Sequence, residues 1–204
     1  MARTRGAERA GAARRAKILN VALDLFAARG YRGTSIAAVA GAAGITQPGL
    51  LHHFPSKEAL LAEVLAERDR QVLLAAGSDR AAEGPNLVCA LEIVHDMLAQ
   101  ARGNRGLTRL GHLGTSGSDD VPELAREWAR RRVHTYRTDL ATVIAQDIAA
   151  GRVRADADPV ATASLIIAAI TGLEEQWLLD ESFDMLAAMD AFTRVLCRDL
   201  LIEG

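Results

Sequence analysis

A chain of 204 residues, half of them apolar but only 4% aromatic, is long enough for a small head and a larger body, and its Ala, Leu, Val and Ile bias predicts an all-α protein of about nine helices with no sheet. The net charge of −2 is unevenly split: residues 1–57 carry nine Lys or Arg against two acids, a net +7, and the remainder carries 15 bases against 24 acids, a net −9, so a basic head faces a polyanion while an acidic body is kept off it. Cys89 and Cys197 form neither a CxxC nor a Cys/His set, and HExxH, Gly-rich phosphate loops and Gly-x-Ser-x-Gly elbows are missing, which argues against structural zinc, a disulfide framework, a cofactor and an enzyme.

Residues 1–13 read as a flexible basic arm containing Arg3 and Arg5. From Arg14 to Tyr31 the apolar spacing of Ile18, Ala22, Leu25 and Phe26 predicts a helix that Gly30 stops. Thr34 to Lys57 then reads as two short helices at a fixed angle followed at once by a third, an arrangement that places one helix in a DNA groove. If the first starts at Ile36, Ala40 is the small residue at the crossing, Gly44 is the left-handed stop and Leu50 plugs the angle. Thr46 caps the second helix, Pro48 occupies its first turn, Phe54-Pro55 ends it, and Ser56 caps the third with Glu58 favouring its dipole. A helical hairpin of this kind alone is as compatible with mere packing as with DNA binding; the preceding helix and the basic charge tilt the balance.

The head is thus expected to span residues 14–60 and the body 61–204. In the body, helices are predicted from Ser56 to about Ala76, over Asn86–Ala101, Leu107–Leu113, Val121–Ala150, Asp158 to about Leu179 and Phe183–Ile202, with breaks at Gly77–Pro85, Gly103–Gly106 and Gly114–Asp120. Asp158-Pro159 is a capped start and Gly151 a stop. The helix after Asp158 carries the stripe Ala163, Ile166, Ile170, Leu173 and Trp177, while Leu165, Ala169 and Leu178 lie off it. A helix that needs cover on two sides is either central in a monomer or shared with a second copy, and the economical reading is a four-helix dimer interface of Leu165, Ala169, Leu178, Phe192 and Leu196. The N-terminus lacks an apolar core for a signal peptide and Leu165–Ile170 is too short and interrupted to span a bilayer, so a cytoplasmic protein with no membrane partner is expected.

Lys17-Ile18-Leu19, Ala22, Leu25-Phe26, Gly30-Tyr31, Thr34-Ser35-Ile36, Ala40, Ala43-Gly44-Ile45, Gly49-Leu50, His53-Phe54 and Ser56-Lys57-Glu58-Ala59-Leu60-Leu61 together resemble the N-terminal domain of TetR-family transcriptional regulators, over roughly residues 14–61. Two positions depart from the family: Leu51 stands where a tyrosine is usual, removing one phosphate contact, and Ala38, Gly41 and Ala42 replace charged residues. The resemblance implies a homodimer that reads a palindromic double-stranded DNA operator and is released by an unknown small molecule, with repression as the family default. A regulator without an inducer, architectural or protein-responsive, and an activator are the alternatives.

The helix from Gln47 is expected in the major groove, Gln47 pairing with an adenine edge and Thr46 touching a thymine methyl or a phosphate. Pro48 and Gly49 present little bulk, Gly49 either for close backbone approach or for relief against the preceding helix. His52 reaches a phosphate or base edge, and His53 does so or packs under the first helix. Thr34, Ser35 and Lys57 are expected on phosphates, and Arg3 and Arg5 in the minor groove as some TetR-like arms are. The stretch Gly172–Leu179 and the helix layout weakly resemble TetR-like C-terminal domains, which implies a ligand pocket within Asn86–Leu179. Its candidate lining is His95, Trp128, Tyr136, Glu174 and Trp177, polar or aromatic residues on apolar stripes that ordinary packing explains as well; Glu174 facing the pocket would suit a cationic ligand.

Overall fold

The computed structural model describes residues 2–75, 86–115 and 121–202, with side chains from residue 11 onward and, before the first gap, up to residue 72. Among these residues there are nine helices: α1 (Ala2–Arg29), α2 (Ile36–Ala43), α3 (Gln47–His53), α4 (Lys57–Ala75), α5 (Leu87–Gly103), α6 (Arg105–Gly111), α7 (Glu123–Ala149), α8 (Pro159–Leu179) and α9 (Met185–Leu200). The only β-type pairing among them is an isolated antiparallel bridge between Val153 and Leu201. The all-α reading holds.

The helices form two compact units, one of residues 1–71 with 109–129 and one of residues 72–108 with 130–204. In the first, α1 buries Ile18, Leu19, Ala22, Leu23 and Phe26, and it packs on α2, which in turn packs on α3. Val39, Ala40, Ala43 and Leu50 are the buried residues of that hairpin, and α4 buries Leu60, Leu61, Val64 and Leu65 at i, i+1, i+4 and i+5 spacing. The unit is wider than residues 14–60 because α4 continues to use side chains toward 109–129. Arg68 is buried against Gly111, and the Asp69 carboxylate accepts the Trp128 indole N–H at 2.8 Å.

In the second unit α5, α8 and α9 pack mutually around Leu87, Leu91, Val94, Leu98, Ala163, Ile166, Trp177, Met185, Met189, Leu196 and Leu200, and α7 adds Ile144. Asp147 is buried at the end of α7, where it accepts the Leu87 backbone N–H at 2.7 Å and the Arg152 Nε at 2.8 Å. It therefore supplies a charge-assisted acceptor to the Leu87 N–H in the first turn of α5, beside the Asn86 side chain that accepts the Cys89 N–H at 2.9 Å.

Several expected boundaries move. α1 begins at Ala2, so the stretch read as an arm continues the helix; its Ala- and Arg-rich sequence contains no proline to stop it. The Arg3 and Arg5 side chains lie outside the described residues, as do the Gly77–Pro85 break and residues 116–120 of the expected loop. The expected break at 103–106 contracts to Asn104, whose side chain accepts the Leu107 N–H at 3.0 Å and so starts α6.

Candidate nucleic-acid interface

Each end of the α2–α3 hairpin is set by a residue suited to it. The Ser35 hydroxyl accepts the Ala38 N–H at 3.0 Å and starts α2. Gly44 ends α2 at φ 71° and ψ 35°, a left-handed conformation that a Cβ would strain, and Ile45 N–H closes back onto the Ala40 carbonyl at 3.0 Å. Thr46 then caps α3, its hydroxyl accepting the Gly49 N–H at 3.2 Å, and Pro48 costs no hydrogen bond in the first turn. A Cβ on Gly49 would stand 3.2 Å from the Thr46 hydroxyl oxygen. Glycine here makes room for the cap, a local reason distinct from relief against α2.

One face of α3 is anchored and the other is open. Leu50 and, just after the helix, Phe54 are buried, while Thr46, Gln47, Pro48, Leu51 and His52 are exposed and His53 is half-buried between them. The His53 ring lies 5.6 Å from that of His52 and 6.5 Å from that of Phe54, so it belongs to the packed edge as much as to the open face. Ser56 caps α4 by accepting the Ala59 N–H at 3.1 Å. In the first turn of α4 the Lys57 ammonium sits 4.0 Å from the centre of the Tyr31 ring. Tyr31 is itself held, stacked on Phe26 at 5.9 Å and donating its hydroxyl to Glu58 at 2.8 Å. Burial, then the bond to Glu58, pushes the Tyr31 phenol up to about 12, and that same bond lowers the Glu58 carboxyl. Sequence reasoning assigned Tyr31 no role, although Gly30-Tyr31 was part of the recognised pattern.

Thr34 corrects the expectation of a phosphate contact. It is 1% exposed, and its hydroxyl donates to the carbonyls of Gly30 at 2.9 Å and Leu25 at 3.1 Å. The residue ties off the C-terminal end of α1; Ser35, one position on, is exposed.

The expected pocket residues do not form one set. Trp128 belongs to the first unit, where it binds Asp69, because α7 is long enough to serve both units. Trp177 is buried in the core of the second unit, as expected of the largest side chain on the α8 stripe. His95 stands on α5 with Nε2 3.5 Å from the Asp190 carboxylate of α9, and Tyr136 lies under the Arg132 guanidinium at 5.2 Å and accepts from its Nε at 3.4 Å. Glu174 is half-buried on α8. Of the expected interface residues, Leu165 is 54% exposed, Leu178 and Phe192 pack partly against the core, and Leu196 is buried in it. The reason is register: Met185, Met189, Leu196 and Leu200 form one buried stripe on α9, which leaves Val195, 69% exposed, on the other side.

A capped two-helix hairpin with an exposed polar face on its second helix, in a unit whose sequence is basic, defines a helix-turn-helix protein. Residues 18–64 match the family model for bacterial regulatory proteins of the tetR family. Residues 18–64 thus form a DNA-binding head of the tetR type. It is 48% identical over 52 residues to the HTH-type transcriptional repressor KstR2 of Rhodococcus jostii (strain RHA1), a match covering 26% of each chain. It is 26% identical over 182 residues to the HTH-type transcriptional regulator TtgR of Pseudomonas putida, covering 86% of each. The fold is shared with a TetR transcriptional regulator from Chloroflexus aurantiacus, with a TM-score of 0.83 at 23% identity over 96% of this chain and all of that one. The match to the KstR2 relative thus spans about a quarter of that protein's length and lies in the head. No helix among the described residues is long and apolar enough to cross a membrane.

Proposed function

We propose that the protein is a cytoplasmic transcriptional repressor that binds a palindromic operator as a homodimer and is released by a small molecule. The observation that carries this is the exposed N-terminal face of α3, capped by Thr46 and backed by buried Leu50 and Phe54. A short, rigidly seated helix with Gln47 at its start meets the geometric demand of major-groove reading, because an amide placed there pairs with adenine N6 and N7. Ser35 and Lys57, each at a helix start and each open to solvent at least in part, hold the flanking phosphates. Lys57 is the stronger of the two, since the Tyr31 ring beneath it limits how far the ammonium wanders.

Dimerisation is supported by large apolar side chains left open on α8 and α9, with Val160, Leu165, Leu179 and Val195 all more than half exposed. Isolated exposed leucines are ordinary, but four large apolar residues exposed on two consecutive helices favour a reading in which a second copy covers them. Release by a small molecule is supported by the family and by the partition of the chain into a DNA-facing unit and a separate helical unit with its own core.

The test is a selection of bound fragments from random and genomic DNA, followed by affinity for the winner as a function of salt. A palindrome with a log–log salt slope of order −6 to −10 is expected of a dimer whose heads each engage several phosphates. Enrichment of a single half-site bound by one chain would overturn the dimer, and no enrichment would overturn sequence-specific reading.

A further inference from the structure

We propose that Leu51 reads the C5 methyl group of an operator thymine close to the adenine taken by Gln47; this rests on the reading of α3 as the helix that enters the major groove. Among the described residues seven large apolar side chains are exposed, and six of them lie in the second unit, on or next to α5, α8 and α9. Leu51 is the one in the first unit, and it stands on the open face of α3. Gln47 and Pro48, four and three residues before it, are exposed as well, and helical spacing puts the three side by side. Leu50 before it and Phe54 after it are buried, so the turn that carries Leu51 is fixed in place.

A leucine side chain neither donates nor accepts a hydrogen bond, so it holds no phosphate and pairs with no polar base edge. In the major groove the complementary apolar group is the thymine C5 methyl, while the other exposed base atoms are donors and acceptors. Leucine pressed on those atoms strips their water and returns no partner, whereas against a methyl group both surfaces leave water together. The face around Leu51 suits this use, because α3 carries no acid, lysine or arginine and so selects bases more than it grips the backbone. The step from Gln47 to Leu51 advances about 6 Å along the helix. For a helix lying along the groove that is roughly two base-pair steps of 3.4 Å. The thymine therefore lies within two base pairs of the adenine.

The test uses the full-length protein and the operator recovered by the selection above. Each thymine is replaced in turn, in both half-sites, by deoxyuridine, which keeps the base pairing and removes only the methyl group. Within two base pairs of the position whose preference Gln47→Ala relaxes, one such replacement is expected to weaken binding about fifteenfold, from about fourfold for one buried methyl in each half-site. Leu51→Ala should bind the thymine and uracil operators alike, and Leu51→Met, which keeps an apolar side chain of similar reach, should keep the preference. Because Leu51 is exposed, Leu51→Ala should melt with the unmodified protein, which separates lost reading from lost fold. An operator with no thymine within that distance, one indifferent to uracil there, or a preference that survives Leu51→Ala would each overturn the proposal and leave α3 as the reading helix. A clear fall in the melting temperature of Leu51→Ala would make the side chain part of the core and would overturn it as well. A selection that enriches no operator would overturn the reading of α3 itself.

Discussion

Replacing Thr34 by valine separates a structural hydroxyl from a DNA-binding one. The shape is nearly conserved, so no cavity opens, and what is lost is the hydroxyl donor to the Gly30 and Leu25 carbonyls. A net hydrogen bond contributes about 1 kcal/mol, and leaving buried carbonyls short of a partner adds a fraction of their desolvation cost, for a total of about 1–2 kcal/mol. In a chain of this size each kcal/mol moves the midpoint by about 2–4 °C, so the expected fall is about 2–8 °C. Thermal unfolding followed by far-UV circular dichroism reads this directly. DNA affinity measured well below the midpoint should be unchanged, and so should its salt slope. An unaltered midpoint together with weaker binding to all sequences and a salt slope shallower by about one would mean that Thr34 holds a phosphate, and the burial argument would fail.

Gln47→Ala is expected to relax preference at one base pair at a cost of about 1–3 kcal/mol on the best site, while Lys57→Ala weakens all sequences alike and reduces the salt slope by about one; equal losses on specific and random DNA for Gln47→Ala would remove it from base reading. Tyr31→Phe should abolish the phenolate absorbance that otherwise appears near pH 12. Because the folded-state value is raised from 10.0, the stability linked to Tyr31 is fully present below pH 10 and is lost as pH rises toward 12, so the variant should lose that part of the alkaline fall in unfolding free energy. Gly114→Ala drives a Cβ onto the Ala125 carbonyl oxygen and to 2.6 Å from the Ala129 Cβ, both on a helix that cannot yield cheaply; a loss of about 1–3 kcal/mol in denaturant unfolding is expected, and a neutral result would mean that the turn before α7 moves freely. Leu165→Glu should convert a dimer to a monomer in light scattering without lowering helicity, since the side chain is more than half exposed in the single chain.

The parts of this protein legible in its sequence are those that depend on near neighbours. Caps act over three residues, which is why Ser35, Thr46, Ser56 and Asp158 all stand where a helix was expected to begin. Glycine stops act over one, and Gly30, Gly44 and Gly151 each adopt φ 71° at an expected helix end. Apolar periodicity identified the buried face of α8 for the same reason. Periodicity was a weaker guide on α9, where Leu196 read as interface and proved to be core, because an apolar residue shows that a face will be covered and not which element covers it.

What only the tertiary structure decided involves groups far apart in the chain. Thr34 is a surface threonine by type and becomes a buried tie because the end of α1 folds over it nine residues away. Asp147 meets the start of α5 across 60 residues, and Trp128 meets Asp69 across 59. Neither partner carries a local mark of the other.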